Sequence, residues 1–367
     1  MPKKRILLVD DSVLIRRLLG DALSRKPLLE VAGSAPNGRI ALMKILLLHP
    51  DVVILDVEMP EMDTLATLDE IRKAYPQITV IMLSVSTEGG AAATLEALAR
   101  GAEDYVTKPE PAAITEKVMQ SLSDELASRI DLLCAHGSDK LLFSNPHGVA
   151  QFGALTPCTT ISRATTRVDV LAIGVSTGGP NALRDLLSRL PADFPVPILI
   201  VQHMPPIFTR LLAERLAETC KVHVAEGCSQ EAVLPGSAWI APGNFHMAVE
   251  RDHKGVRIRT HQNHRENSCR PAVDVLFRSV AEVYGPHVLA VVMTGMGQDG
   301  FRGCQRIRDA GGQVLAQDEA SSVVWGMPGA VVRAGIADRV VSLNDLAQEI
   351  TKRVSSHRLE KHILVGS

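Results

Sequence analysis

The chain has 367 residues, 46% of them hydrophobic and 22% charged, which suits folded protein and allows two domains of ordinary size. Its 39 Lys plus Arg nearly balance 41 Asp plus Glu, for a formal net charge of -2. That balance gives no electrostatic case for general nucleic-acid binding or for an anionic membrane surface.

The opening MPKKRILLVDD has a basic start, but its short apolar run meets two aspartates at once. It reads as a buried strand, not a signal peptide. No run approaches the roughly 18 apolar residues that cross a bilayer, so direct membrane insertion is not expected. Six cysteines (Cys134, Cys158, Cys220, Cys228, Cys269 and Cys304) are scattered without a CxxC pair. Neither a disulfide framework nor a zinc site follows, and reduced thiols in a cytoplasmic protein are expected.

From residue 5 to about 125, strand and helix alternate five times. The apolar runs are Ile6–Val9, Leu29–Ala32, Val52–Leu55, Thr79–Leu83 and Tyr105–Thr107. Their continuous apolar character suits parallel strands buried on both faces, hence a doubly wound α/β sheet. The rhythm fails over 126–166, a polar stretch bearing Pro, Gly and Thr that reads as a linker.

A second α/β domain is expected over 167–355, with 356–367 as a tail. Its expected strands are Val168–Gly174, Pro197–Gln202, Val222–Ala225, Ala238–Ile240, Val256–Thr260, Val288–Met293 and Val314–Ala316. Helices are expected at Pro180–Leu190, Phe208–Thr219, Ala272–Val283, Phe301–Ala310 and Leu343–Val354. Breaks at Pro235-Gly236 and Asp252–Gly255 indicate a small hairpin excursion.

In the first domain Asp10 and Asp11 follow the first strand, Asp56 the third, Ser84 the fourth and Lys108 the fifth. The carboxyl ends of such strands meet at one sheet edge, where ligands bind. Three carboxylates gathered there repel one another, and magnesium relieves that repulsion while neutralising charge on a phosphoryl group. Lys108 supplies a point charge and Ser84 a hydroxyl for the phosphate. Lys108-Pro109 is a candidate cis bond.

In the second domain a strand runs into Gly174-Val175-Ser176-Thr177-Gly178-Gly179, with Pro180 opening a helix. Small residues permit a sharp turn that projects a hydroxyl, and the helix N-terminus suits an oxyanion. The same string could cradle a phosphate instead. His203 and Asp299 end two further strands, however, and a serine needs a base and the base needs a carboxylate. The order Ser, His, Asp differs from that of α/β-hydrolases and points to a different scaffold. His246, His261, His264 and His287 lie on polar or irregular stretches and are expected at the surface.

These motifs carry two resemblances. Through LLVDDS, ILDVEMPEMD and DYVTKP, residues 5–125 resemble the flavodoxin-like receiver domain of two-component response regulators. The resemblance implies Asp56 as phosphorylation site, Asp10 and Asp11 as magnesium ligands beside it, Ser84 and Lys108 as phosphate sensors, and Tyr105 as switch aromatic. Thr64 departs from the family, which commonly has Gly there. Residues 168–350 resemble the catalytic domain of the chemotaxis protein-glutamate methylesterase family through GVSTGGP, VQHMP, WIAPGNFHM, CRPAVDVLF, TGMGQDG and SSVVWGMPGA.

That second resemblance implies a Ser176, His203, Asp299 triad with the Met296 N–H as oxyanion donor and no cofactor for the esterase chemistry. It also implies methyl-accepting chemoreceptors as substrate, glutamine deamidation at the same site, and a chemotaxis histidine kinase as phosphodonor. The expected regulation is a receiver that restricts access to Ser176 until Asp56 is phosphorylated. A regulator whose second domain only binds a nucleotide at Gly174–Gly179 is the competing class. Transcriptional control is weaker, since no basic helix-turn-helix pattern is present.

Overall fold

Five parallel strands in the order β2-β1-β3-β4-β5 form the first sheet: β1 Lys4–Val9, β2 Leu29–Ala35, β3 Val52–Asp56, β4 Thr79–Ser84 and β5 Asp104–Thr107. The computed structural model describes residues 2–59, 64–140 and 167–355. The expected tail and most of the expected linker lie outside them. The chain divides into two units, Met1–Pro146 and His147–Ser367.

The central strands are apolar because helices cover both faces; Ile6, Leu7, Leu8, Val9 and Val52–Leu55 are fully buried. Four helices follow strands in turn: α1 Val13–Ser24, α2 Gly38–Leu48, α3 Thr64–Ala74 and α4 Glu88–Ala99. Side-chain oxygens of Ser12, Asn37 and Thr87 accept from the first turns of α1, α2 and α4. Since Ser12 caps α1, the exposed Asp11 carboxylate is left for other work.

The fifth helix, α5, spans Glu116–Lys140, so the expected boundary at residue 125 falls inside it. Leu122, Leu126, Ile130 and Leu133 repeat at helical spacing and are buried, which carries the helix onward. Among the described residues the cis peptide is Arg270-Pro271, not Lys108-Pro109.

The second unit is built on seven parallel strands in the order β14-β13-β12-β6-β7-β9-β8. They are β6 Val170–Val175, β7 Ile198–Gln202, β8 His223–Glu226, β9 Ser237–Ile240, β12 Val288–Val292, β13 Gln313–Gln317 and β14 Arg339–Val341. A separate antiparallel pair, β10 His246–Asp252 and β11 Gly255–His261, is the expected excursion, turning at Asp252–Gly255. The break at Pro235-Gly236 instead precedes β9, which pairs parallel with β8.

Helices α6 Gly179–Leu187, α7 Phe208–Thr219, α8 Val273–Tyr284, α9 Phe301–Asp309, α10 Met327–Arg333 and α11 Leu343–Ser355 complete the unit. Val170, Ala172, Leu199, Val201, Leu276, Phe277, Val280 and Ala290 belong to one buried cluster joining strands to α8. The strand order runs outward from β6 in both directions, so β12, β6 and β7 lie side by side at the switch point. Their carboxyl ends form a crevice, the usual ligand edge of an open parallel sheet.

Candidate functional site

In the first unit the sheet edge gathers the expected acidic set. Asp10 and Asp56 are fully buried, and their carboxylate oxygens lie with one of Asp11 within 4.8 Å of one another. Lys108 Nζ is 2.7 Å from Asp56 Oδ2 and 3.2 Å from Asp10 Oδ2.

Burial, and then the neighbouring Asp10, push the Asp56 carboxyl up to about 6. Asp10 is raised as well, mainly by burial. Burial alone would lower the Lys108 ammonium, but Asp56 and Asp10 hold it above its usual value. An oxygen-only set of three carboxylates, one of them exposed, fits a hard divalent cation such as magnesium.

Thr64, where Gly is common, donates its hydroxyl to the Asp56 carbonyl at 3.1 Å. Ser84 is fully buried, and its hydroxyl lies 2.6 Å from that of Thr94. Tyr105 sits half-buried on β5, and burial pushes its phenol upward.

In the second unit Ser176 follows β6, His203 follows β7 and Asp299 lies in the loop after β12. All three therefore lie at the carboxyl ends of neighbouring strands. The His203 N–H donates to the Val175 carbonyl at 3.2 Å, which fixes the two turns side by side. Gly178 has a φ of +77°, and a side chain there would meet Val323 at 2.6 Å.

His203 Nε2 donates to Asp299 Oδ2 at 2.8 Å. The other ring nitrogen, Nδ1, lies 3.8 Å from Cys269 Sγ. Burial pulls the imidazole down, but Asp299 and Cys269 more than offset it and hold it at about 9. The Ser176 hydroxyl makes no hydrogen bond among the described residues, so the serine shares this edge without being linked to the imidazole in this state.

Asp299 is nearly buried, and burial alone would raise it. The imidazole and the first N–H groups of α8 reverse that and hold it below the usual carboxylate range. Val273 N and Asp274 N donate at 2.6 and 3.1 Å, Gly300 N at 3.0 Å and Asn267 Nδ2 at 2.7 Å. A helix N-terminus is a natural holder of a carboxylate. The Met296 N–H, the expected oxyanion donor, makes no hydrogen bond to protein among the described residues.

Sequence reasoning assigned no role to several residues that build this site. Gln202 Nε2 bridges the Ser176 and His203 carbonyls at 3.0 and 3.3 Å. Thr294 Oγ1 donates to the Thr177 carbonyl at 2.9 Å. Cys269 and Asp274 stand inside the CRPAVDVLF stretch, the one available signal for them. His246, expected at the surface, is buried: it starts β10 against His261, and its Nε2 lies 3.0 Å from the His264 carbonyl. Five cysteines among the described residues are free, as expected. No helix among them is long and apolar enough to cross a membrane.

Residues 171–350 match the family described as CheB methylesterase, and residues 6–119 match the response regulator receiver domain. A protein-glutamate methylesterase/protein-glutamine glutaminase of Trichodesmium erythraeum is 52% identical over 96% of this chain and 100% of its own length. One from a Nocardioides species is 46% identical, covering 98% of this chain and 97% of that relative. The solved CheB methylesterase catalytic domain of Thermotoga maritima aligns with 51% of this chain and 99% of its own, at 39% identity and a TM-score of 0.50.

Proposed function

The chain belongs to the protein-glutamate methylesterase/protein-glutamine glutaminase family, and from that premise we propose how its own residues perform and regulate the reaction. It is a two-domain α/β hydrolase with a receiver domain ahead of the methylesterase domain. Its substrates are γ-glutamyl methyl esters on chemoreceptors, met in the cytoplasm, and receptor glutamines are deamidated at the same site. The observation that carries the assignment of residues is the 2.8 Å His203–Asp299 hydrogen bond beside the Ser176 turn.

Ser176 Oγ attacks the ester carbonyl carbon, and its proton passes to His203. Asp299 keeps Nε2 engaged, so Nδ1, which faces Cys269 here, is the nitrogen that receives that proton. The imidazolium is stabilised by the buried carboxylate. The Met296 N–H donates to the developing oxyanion, aided by the positive end of α6. The C–O bond then breaks, and methanol leaves with the proton returned by His203. Water attacks the acyl-serine with His203 again as base, and a glutamate carboxylate is released. For glutamine the leaving group is ammonia.

A domain that only cradled phosphate at Gly174–Gly179 would have no use for a His–Asp pair at the same edge. In the receiver, Asp56 takes a phosphoryl group from a chemotaxis histidine kinase. Asp10, Asp11 and Asp56 would hold magnesium, which when bound would offset the charge on that group. Lys108 then exchanges its Asp56 contact for the phosphoryl oxygens, and Ser84 leaves Thr94 to donate to them. Tyr105 responds on β5, and the hydrolase is activated.

Methanol release from a methylated receptor fragment tests the reading directly. Release should require the protein and rise when a small phosphodonor and magnesium are added. No release under either condition would overturn it.

A further inference from the structure

Two consecutive residues beside the His203–Asp299 pair take left-handed backbone, Asn267 at φ 51° and Ser268 at φ 64°. Glu266 and Cys269 on either side exchange both main-chain hydrogen bonds, at 3.1 and 2.8 Å. This is a tight turn of the mirror-image kind, which asks for positive φ at both central residues. Asn tolerates that conformation far better than Ser does.

The turn is tied down at its start. Arg278 of α8 grips Glu266 with two hydrogen bonds of 2.6 and 2.7 Å. The same helix gives its first N–H groups to Asp299, so turn and carboxylate share one support.

Both flanks of the pair are touched from this turn. The Asn267 amide spends its two N–H donors on Asp299 Oδ1 at 2.7 Å and Asp274 Oδ2 at 2.9 Å. Asp274 is itself buried and receives the Gly303 N–H at 2.6 Å. Asn267 thus stands between two buried carboxylates that would otherwise repel. Cys269 Sγ meets the imidazole on the side away from Asp299.

We propose that the Glu266–Cys269 turn positions the catalytic pair, with Asn267 aiming Asp299 at His203 and Cys269 holding Nδ1 until Ser176 takes its place. Asn267 and Cys269 are then positioning residues, acting through Asp299 and His203 without touching substrate. The inference rests on the hydrolase assignment of those two residues. A turn that only closed a loop would be served by glycine at 267, with no donor pointed inward.

The test uses the full chain, phosphodonor-activated, with methanol release measured against pH. Asn267→Gly keeps the left-handed turn and removes the amide. It should lower kcat by about 10- to 100-fold, the worth of a hydrogen bond to a charged group, with KM little changed. Asn267→Asp adds a third carboxylate and should lose more. Cys269→Ala should shift the ascending limb of the pH profile, because it removes the thiol that lies 3.8 Å from Nδ1.

Wild-type kcat in Asn267→Gly with an unmoved limb in Cys269→Ala would overturn the proposal. So would a kcat loss matched by a lower melting temperature and no change in pH profile. Ser176→Ala separates the two layers. If it stays fully active, the hydrolase assignment falls and takes this inference with it. If it is inactive while both turn variants behave as wild type, only this inference falls.

Discussion

His203 and Asp299 are joined by a 2.8 Å hydrogen bond from Nε2 to Oδ2, while four further N–H groups hold the same carboxylate. The donors offset the burial that would otherwise neutralise Asp299. A carboxylate kept charged beside an imidazole favours the imidazolium, and that sets the pH behaviour of the protein.

A base must be deprotonated to accept the Ser176 proton. With His203 held at about 9 against an ordinary 6.5, kcat/KM should rise with pH across that interval. Stability should run the other way. A folded-state value raised above the unfolded one contributes fully below about 6.5 and is lost as pH passes through about 9. Rate and melting profiles recorded over the same pH series check both signs; an activity limb near 6.5 would contradict the first.

Phosphorylation should act through Asp56 alone. A small phosphodonor with magnesium should raise methanol release by about 5- to 150-fold, the usual span of allosteric coupling. Asp56→Asn should abolish the rise and leave the basal rate. Activation that survives Asp56→Asn would show a different acceptor.

Gly295 is a close-approach position. A Cβ there would lie 2.5 Å from Met327 Sδ and 2.8 Å from Ser176 Cβ, so one of them must shift. A displacement of about 1 Å in a catalytic group can cost on the order of a hundredfold. Gly295→Ala should therefore cut kcat strongly with little loss of secondary structure by circular dichroism. An unchanged kcat would show that Ser176 tolerates the push.

The extended α5 can be tested by stability. Leu126 and Ile130 are fully buried, so Leu126→Ala and Ile130→Ala should each cost about 2–5 kcal/mol in receiver unfolding. Values near zero would restore the boundary at 125 that the sequence alone indicated.

Much of the fold was legible because long parallel strands announce themselves as apolar runs, from Ile6–Val9 through Val288–Val292. The acidic edge, Ser176 and His203 stood out for the same reason, since each lies at or just after the end of such a run, whereas Asp299 lies seven residues beyond Val292, in the loop after β12. β14 and α10 were missed because three and seven residues give too little pattern. β10 was missed because its polar end, Glu250–Asp252, hides the buried start at His246–Val249. The hold of Asn267 and of the α8 N-terminus on Asp299 was invisible for a deeper reason, although the helix itself was expected from Ala272. Their partner Asp299 lies 32 and 26 positions away from Asn267 and Val273, and neither turn geometry nor a main-chain donor leaves a residue signature.

The central claim is that the Ser176 hydroxyl is the nucleophile. The most direct measurement is methanol release from methylated receptor by purified Ser176→Ala protein, activated in the same way as the wild type. The rate should fall by as much as about a millionfold, to the uncatalysed background. Release at the wild-type rate would contradict the account.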